Sequence, residues 1–175
     1  MSAPEADLLK IKDAETAAEF DDVRLLCWEY RDFLLRLGPA DADIVRAFYP
    51  KDKYASIMER LEQEHAPPAG ALKLALKDGA PVGCGMYHTL MPGTAEIKRV
   101  YVRENARGLG AGRELMLALV AQCRASGFSR IFMDTGVPLE AAQRLYLSMG
   151  FKLRGPYQEI PESVRDRLIF FEMYL

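Results

Sequence analysis

The chain has 175 residues, 50% hydrophobic and 27% charged, with a formal net charge of -2. A single domain spanning 1–175 is expected, burying roughly 70% of its unfolded surface, which needs neither metal nor disulfide to hold a core. That balance leaves no basic footprint for nucleic acid, no apolar run long enough to span a membrane, and no close pairing of its three cysteines and two histidines for a disulfide framework or a metal cluster.

The opening MSAPEADLLKIKDAE carries acids and lacks the apolar stretch of a signal peptide, so a reducing, cytoplasmic setting is expected. Leu8, Leu9 and Ile11 form a short first strand, with Lys10 and Lys12 on its wet side. From Thr16 to about Leu37, Phe20, Val23, Leu26, Cys27, Tyr30, Phe33, Leu34 and Leu37 fall on one broad helical face. Gly38-Pro39 is expected to stop this helix. Ile44–Leu61 reads as one or two short helices broken near Tyr49-Pro50, and Glu64–Gly70 as a connector. Asp41–Gly70 is expected to be the most mobile part of the chain.

Leu72–Lys77 and Pro81–Leu90 flank Asp78-Gly79, a strong hairpin signal. Met91-Pro-Gly93 turns the chain into a strand at Glu96–Val102, rich in β-branched and aromatic residues. Gly112, Leu115, Met116, Leu119, Val120 and Cys123 then repeat at helical spacing. Ser129–Asp134 is a short buried strand and Leu139–Met149 a helix closed by Gly150. Two strands near Lys152–Leu153 and Leu168–Leu175 end the chain.

Between the Glu96–Val102 strand and the next helix lies Arg107-Gly-Leu-Gly-Ala-Gly112. Glycine-permitted backbone leading into a helix N-terminus is an anion-binding arrangement. A nucleoside triphosphate loop requires Lys and then Ser or Thr after its glycines, and here Arg113-Glu114 follow. A dinucleotide fingerprint matches at Gly108 and Gly110 and in an acid, Asp134, ending the next strand, but its third glycine is replaced by Arg113. A turn serving only close helix–sheet packing is the plainer alternative.

The loop fits the acetyl-CoA motif Gln/Arg-x-x-Gly-x-Gly/Ala. With Lys98-Arg99-Val100-Tyr101-Val102, Asp134-Thr135, Leu145-Tyr146-Leu147-Ser148-Met149-Gly150-Phe151, Gly155-Pro156-Tyr157 and the ending Phe171-Glu172-Met173-Tyr174-Leu175, the chain resembles the GCN5-related N-acetyltransferase (GNAT) superfamily, in a small bacterial-type branch. The resemblance implies an α/β fold of mixed α+β type: a twisted, mostly antiparallel sheet of about seven strands, flanked by about four helices, with strands 4 and 5 splayed. It also implies acetyl transfer from acetyl-CoA, without metal, to the amine of a small molecule or peptide. A homodimer is compatible with it. A non-catalytic acyl-CoA-binding or interaction module on the same fold is the alternative.

On this resemblance the backbone of Gly108, Leu109, Gly110, Ala111 and Gly112 holds the CoA pyrophosphate, with Arg107 and Arg113 adding charge. Val100, Tyr101 and Val102 offer backbone to the pantetheine arm, and a bulge is compatible there. Some members bind the cofactor with an asparagine early in this helix; here that contact is either missing or taken up by Gln143. Tyr146 matches the tyrosine that protonates the departing thiolate, although its place on an apolar helix face also suits a packed core residue. Asp134-Thr135 orient the splayed strand end or cap it. Attack requires an amine that has lost a proton. Glu96 is the candidate base, and Lys98 on the same face would make it a poorer one. His88 is the fallback, and Tyr30 and Tyr157 are candidate walls of the acceptor pocket. Direct attack in a ternary complex is expected, because Cys84 and Cys123 sit in apolar patterning that makes thiols inert.

Overall fold

A computed structural model describes residues 8–175; residues 1–7, and with them the expectation of no signal peptide, lie outside the described part. Strand β1 (Leu9–Asp13) leads to Thr16, whose side chain accepts from the Glu19 N–H while Glu19 reaches back to the cap. That reciprocal cap starts α1 (Ala17–Leu35). Pro39 occupies the first turn of α2 (Pro39–Phe48), so Gly38-Pro39 opens a helix as well as closing one. Helices α3 (Lys51–Glu59) and α4 (Leu61–Glu64) follow. The segment expected to be mobile is thus largely helical, and it buries Val45, Tyr54, Met58 and Leu61.

Strands β2 (Ala71–Lys77) and β3 (Ala80–Met91) form the expected hairpin, with Asp78 and Gly79 at φ of 50° and 80°, the geometry of a tight hairpin turn. Strand β4 (Thr94–Val102), a single 3-10 turn (Glu104–Ala106), α5 (Ala111–Ala125), β5 (Arg130–Gly136), α6 (Glu140–Ser148), β6 (Lys152–Arg154), α7 (Glu162–Arg165) and β7 (Leu168–Tyr174) complete the chain. The seven strands form one sheet in the order β1-β2-β3-β4-β5-β7-β6. All neighbours are antiparallel except β4 and β5.

Alternation along the strands divides the core between two faces. Met86 and Leu72 pack with Val23, Leu26 and Tyr54 of α1 and α3. Tyr87 and Ala71 pack on the opposite face with Met116, Leu119 and Val120 of α5 and Tyr146 of α6. No helix among the described residues is long and apolar enough to cross a membrane.

Two irregularities of β4 position the site. Its parallel pairing with β5 covers only Thr94–Glu96 against Arg130–Phe132, and beyond Glu96 the strands part. Its pairing with β3 shifts between Cys84↔Tyr101 and Met86↔Lys98, so Arg99 and Val100 bulge opposite Gly85. Gly85 accommodates the bulge because a Cβ there would stand 2.9 Å from Leu119 Cδ1 and 3.4 Å from Val100 Cγ2.

Candidate active site

The parting of β4 from β5 opens a cleft of about 590 Å³. One wall is β4 itself from Ile97 to Val102, whose β5-facing edge has no strand partner beyond Glu96. At its end stands the glycine loop. Gly108 and Gly110 have φ of 81° and 82°, and no atom lies within 4 Å of where a Cβ would be built on either. Glycine is therefore required by backbone conformation and not by crowding.

Gly110 caps α5 without a side-chain hydrogen bond. Among the described residues nothing accepts from the N–H groups of Gly108, Leu109 or Gly110. Three free donors at the positive end of a 15-residue helix suit a phosphate-bearing ligand. Arg107 donates from Nε to the Val102 carbonyl at 3.1 Å and lies 4.9 Å from the Phe33 ring centre, while Arg113 is exposed at the cleft rim.

The structure brings Val100, Tyr101, Val102, Arg107, Gly108, Gly110, Ala111, Gly112 and Arg113 together around this cleft. Leu109 is 46% exposed, and only its backbone belongs to the loop's donor set. Gln143 does not line the cleft. Its Nε2 donates to the carbonyls of Gly136 at 3.1 Å and Val137 at 2.8 Å, tying α6 to the end of β5. Of the two alternatives, its bonds favour the missing contact.

Tyr146 lies on the cleft's α6 wall, 5% exposed, with its ring against Phe151 and Phe171. It is both packed core and cleft wall. Its hydroxyl bonds to no other described residue. Burial, and next the charge of Asp134, raise its pKa above the ordinary tyrosine value, so it keeps its proton at neutral pH.

The two carboxylates differ sharply. Glu96 is 4% exposed and fully engaged. Its Oε1 lies 2.7 Å from His88 Nε2 and 3.7 Å from Lys98 Nζ, and its Oε2 accepts from Tyr157 at 2.7 Å and Gln158 at 3.2 Å. Burial alone would raise its pKa, but the His88 bond, the Lys98 charge and the Tyr157 hydroxyl together hold it below the usual value. Asp134 opens onto the cleft and has no ion-pair partner among the described residues, with the Tyr157 hydroxyl as its hydrogen-bonding neighbour. Burial, and next the charge of Glu96, push it up to about 6.

A second hollow of about 230 Å³ adjoins the first. Leu34, Ile44, Val45, Phe48 and Ile160 give it apolar walls from α1, α2 and the loop after β6. The two hollows share Tyr30, Leu37, Ile97, Lys98, Arg99, Asp134 and Thr135. Tyr30 thus stands at their meeting point. Tyr157 lines neither; it stacks on Phe132 at 4.9 Å and bonds to Glu96 from behind. His88 also lines neither hollow and lies against Glu96. No group of three or more His, Cys, Asp or Glu among the described residues is placed to hold a metal ion. Cys27, Cys84 and Cys123 are buried free thiols.

Residues 38–151 match the model of the acetyltransferase (GNAT) family, which spans the loop, the parted strands and Tyr146. The chain belongs to that family. An uncharacterized N-acetyltransferase of Schizosaccharomyces pombe is 32% identical over 165 residues, covering 91% of this chain and 94% of that protein. An acetyltransferase structure from Streptococcus agalactiae superposes with a TM-score of 0.72 at 20% identity, covering 95% of this chain and 98% of its own. An N-acetyltransferase of Thermoplasma acidophilum, solved in complex with coenzyme A, superposes with a TM-score of 0.69 at 15% identity over 96% of this chain and 99% of its own. These two share the fold. As a GNAT-family chain, the protein has a cleft whose free loop donors, unpaired strand edge and protonated tyrosine fit the parts of an acyl-CoA. Its carboxylates and second hollow are features that the loop motif does not fix.

Proposed function

We propose that the protein transfers the acetyl group of acetyl-CoA directly to an amine held beside it. The observation that carries this reading is the junction of the two hollows at Asp134, Lys98, Arg99 and Tyr30. A cofactor lying along β4 and an acceptor in the apolar hollow would meet there, converting a bimolecular reaction into an effectively intramolecular one.

When bound, acetyl-CoA supplies an acyl group activated as a thioester. The loop N–H groups bind its phosphates, and the unpaired edge of β4 offers backbone groups to its arm. The N–C bond forms as the C–S bond breaks. Asp134 takes the proton leaving the amine nitrogen, and Tyr146 supplies the proton received by sulfur. Asp134 suits its role because its raised pKa makes it a stronger base than Glu96, and it faces the junction. Glu96, the base expected from sequence, also lines the acceptor hollow, but its oxygens are occupied by Tyr157, Gln158 and His88.

Calorimetric titration with acetyl-CoA, followed by thiol release over a panel of amino acids, polyamines, aminoglycosides and peptide N-termini, tests this. Binding with amine-dependent thiol release is expected. Binding without release from any amine would favour an acyl-CoA-binding module, and absence of binding would sink the reading altogether.

A further inference from the structure

Arg99 is an unusual residue for its position. Its φ of 52° lies in the left-handed region, where glycine fits and an L side chain is strained. The bulge that imposes this conformation also sets the guanidinium over the rings of Tyr49 and Tyr54, with its central carbon 5.9 and 5.8 Å from their centres. There it lines both hollows.

Several neighbouring charged side chains are already engaged. Arg31 donates from Nε to the Tyr49 carbonyl, Arg167 grips Asp41 through both carboxylate oxygens, and Lys98 stands 3.7 Å from Glu96. Glu29 is bound by Arg103 from two nitrogens. Among the described residues no carboxylate pairs with Arg99, whose side chain reaches only the Tyr54 hydroxyl and Met86 Sδ, the latter at 3.8 Å. Ring faces compensate only part of a buried cation, and a guanidinium retains its charge and a fork of donors matched to a carboxylate. Asp134, likewise without an ion-pair partner, faces the same junction.

An unpaired cation and an unpaired acid beside an apolar hollow describe a zwitterion with an apolar tail. We propose that the acceptor is an amino acid with an apolar side chain, its carboxylate bound by Arg99, its amine held at Asp134, and its side chain against Leu34, Ile44, Val45 and Phe48. This rests on the amine-acetylation reading. It names the acceptor by the chemistry of the hollow, whose 230 Å³ suits one small molecule.

The test measures thiol release from acetyl-CoA with matched acceptors: phenylalanine against phenylalaninamide and phenethylamine, and leucine against leucinamide and 3-methylbutylamine. The wild type is expected to prefer each free amino acid by on the order of 10²-fold in kcat/KM, the effect of stranding one partner of a buried charge pair. Arg99→Gly, which suits the backbone, and Arg99→Met are expected to erase that preference, chiefly through KM for the amino acid, with acetyl-CoA affinity retained. Arg99→Lys is expected to restore part of it. Equal use of amine and amino acid by the wild type would overturn the proposal. So would an equal loss on both in the variants, which would place Arg99 in the chemistry common to all acceptors. Acetyl-CoA binding with acetylation of neither amino acid would overturn it while leaving the cleft reading intact. Absence of acetyl-CoA binding would remove both.

Discussion

The Tyr157 hydroxyl donates to Glu96 Oε2 across 2.7 Å, joining the loop after β6 to the last residue of β4 that pairs with β5. Glu96→Gln removes the charge that Tyr157, His88 and Lys98 all face, and a stability loss of roughly 1.5–3 kcal/mol is expected for a lost charged hydrogen bond. Because the folded protein lowers the Glu96 pKa, this stability is present above the unfolded value, about 4.3, and disappears as pH falls through the folded one. Thermal melts of wild type and Glu96→Gln should therefore differ most at neutral pH and converge in acid. A gap that widens on acidification would contradict the assignment.

Asp134 has the opposite sign. Its folded pKa of about 6 lies above the unfolded value, so the fold favours the neutral acid, and stability falls as pH rises between the two. Asp134→Asn should melt slightly higher than wild type at pH 8, a small effect because the carboxylate is open to solvent, with the advantage shrinking toward pH 4. In activity the order reverses. The wild-type kcat/KM should rise with pH through an apparent pKa near 6, and Asp134→Asn should lose that limb and about 10²–10⁴-fold in rate.

Gly108→Ala and Gly110→Ala meet no atom within 4 Å, so their cost comes from φ of 81° and 82° alone. Each should destabilise the free protein by about 1–2 kcal/mol. Shifting the loop N–H groups should also weaken acetyl-CoA by about tenfold or more, the worth of one charged hydrogen bond. Calorimetry on the two variants checks both numbers.

Asp41 of α2 accepts two hydrogen bonds from Arg167, at 2.9 and 2.7 Å, while Arg167 Nε is buried with no partner. Asp41→Ala leaves the guanidinium without its acid and should cost roughly 1.5–3 kcal/mol. Because this pair closes one wall of the acceptor hollow, KM for the acceptor should rise more than KM for acetyl-CoA. Steady-state kinetics with each substrate varied in turn would show the split.

The glycine loop and Tyr146 were legible because each is local: a run of glycines before a helix, and a tyrosine inside a short helical motif. The hairpin and the Glu96–Lys98 pairing followed from turn chemistry and alternation, which act between near neighbours. Asp134 was visible as a strand-end acid, but its freedom depends on where β5 leaves β4, a tertiary fact. Arg99 gave no signal, since a bulge opposite Gly85 cannot be read from residue types that suit a plain strand. Gly38-Pro39 ends one helix and starts another, so the first turn of the helix lining the acceptor hollow, before Ile44, was missed.

The central claim is proton delivery at the cleft by Tyr146, and Tyr146→Phe tests it most directly, keeping the ring that packs on Phe171 and removing only the hydroxyl. Turnover should fall by about 10²–10⁴-fold, with the acetyl-CoA dissociation constant unchanged within about twofold, less than one lost hydrogen bond would cause. Turnover equal to wild type across the accessible pH range would contradict the account.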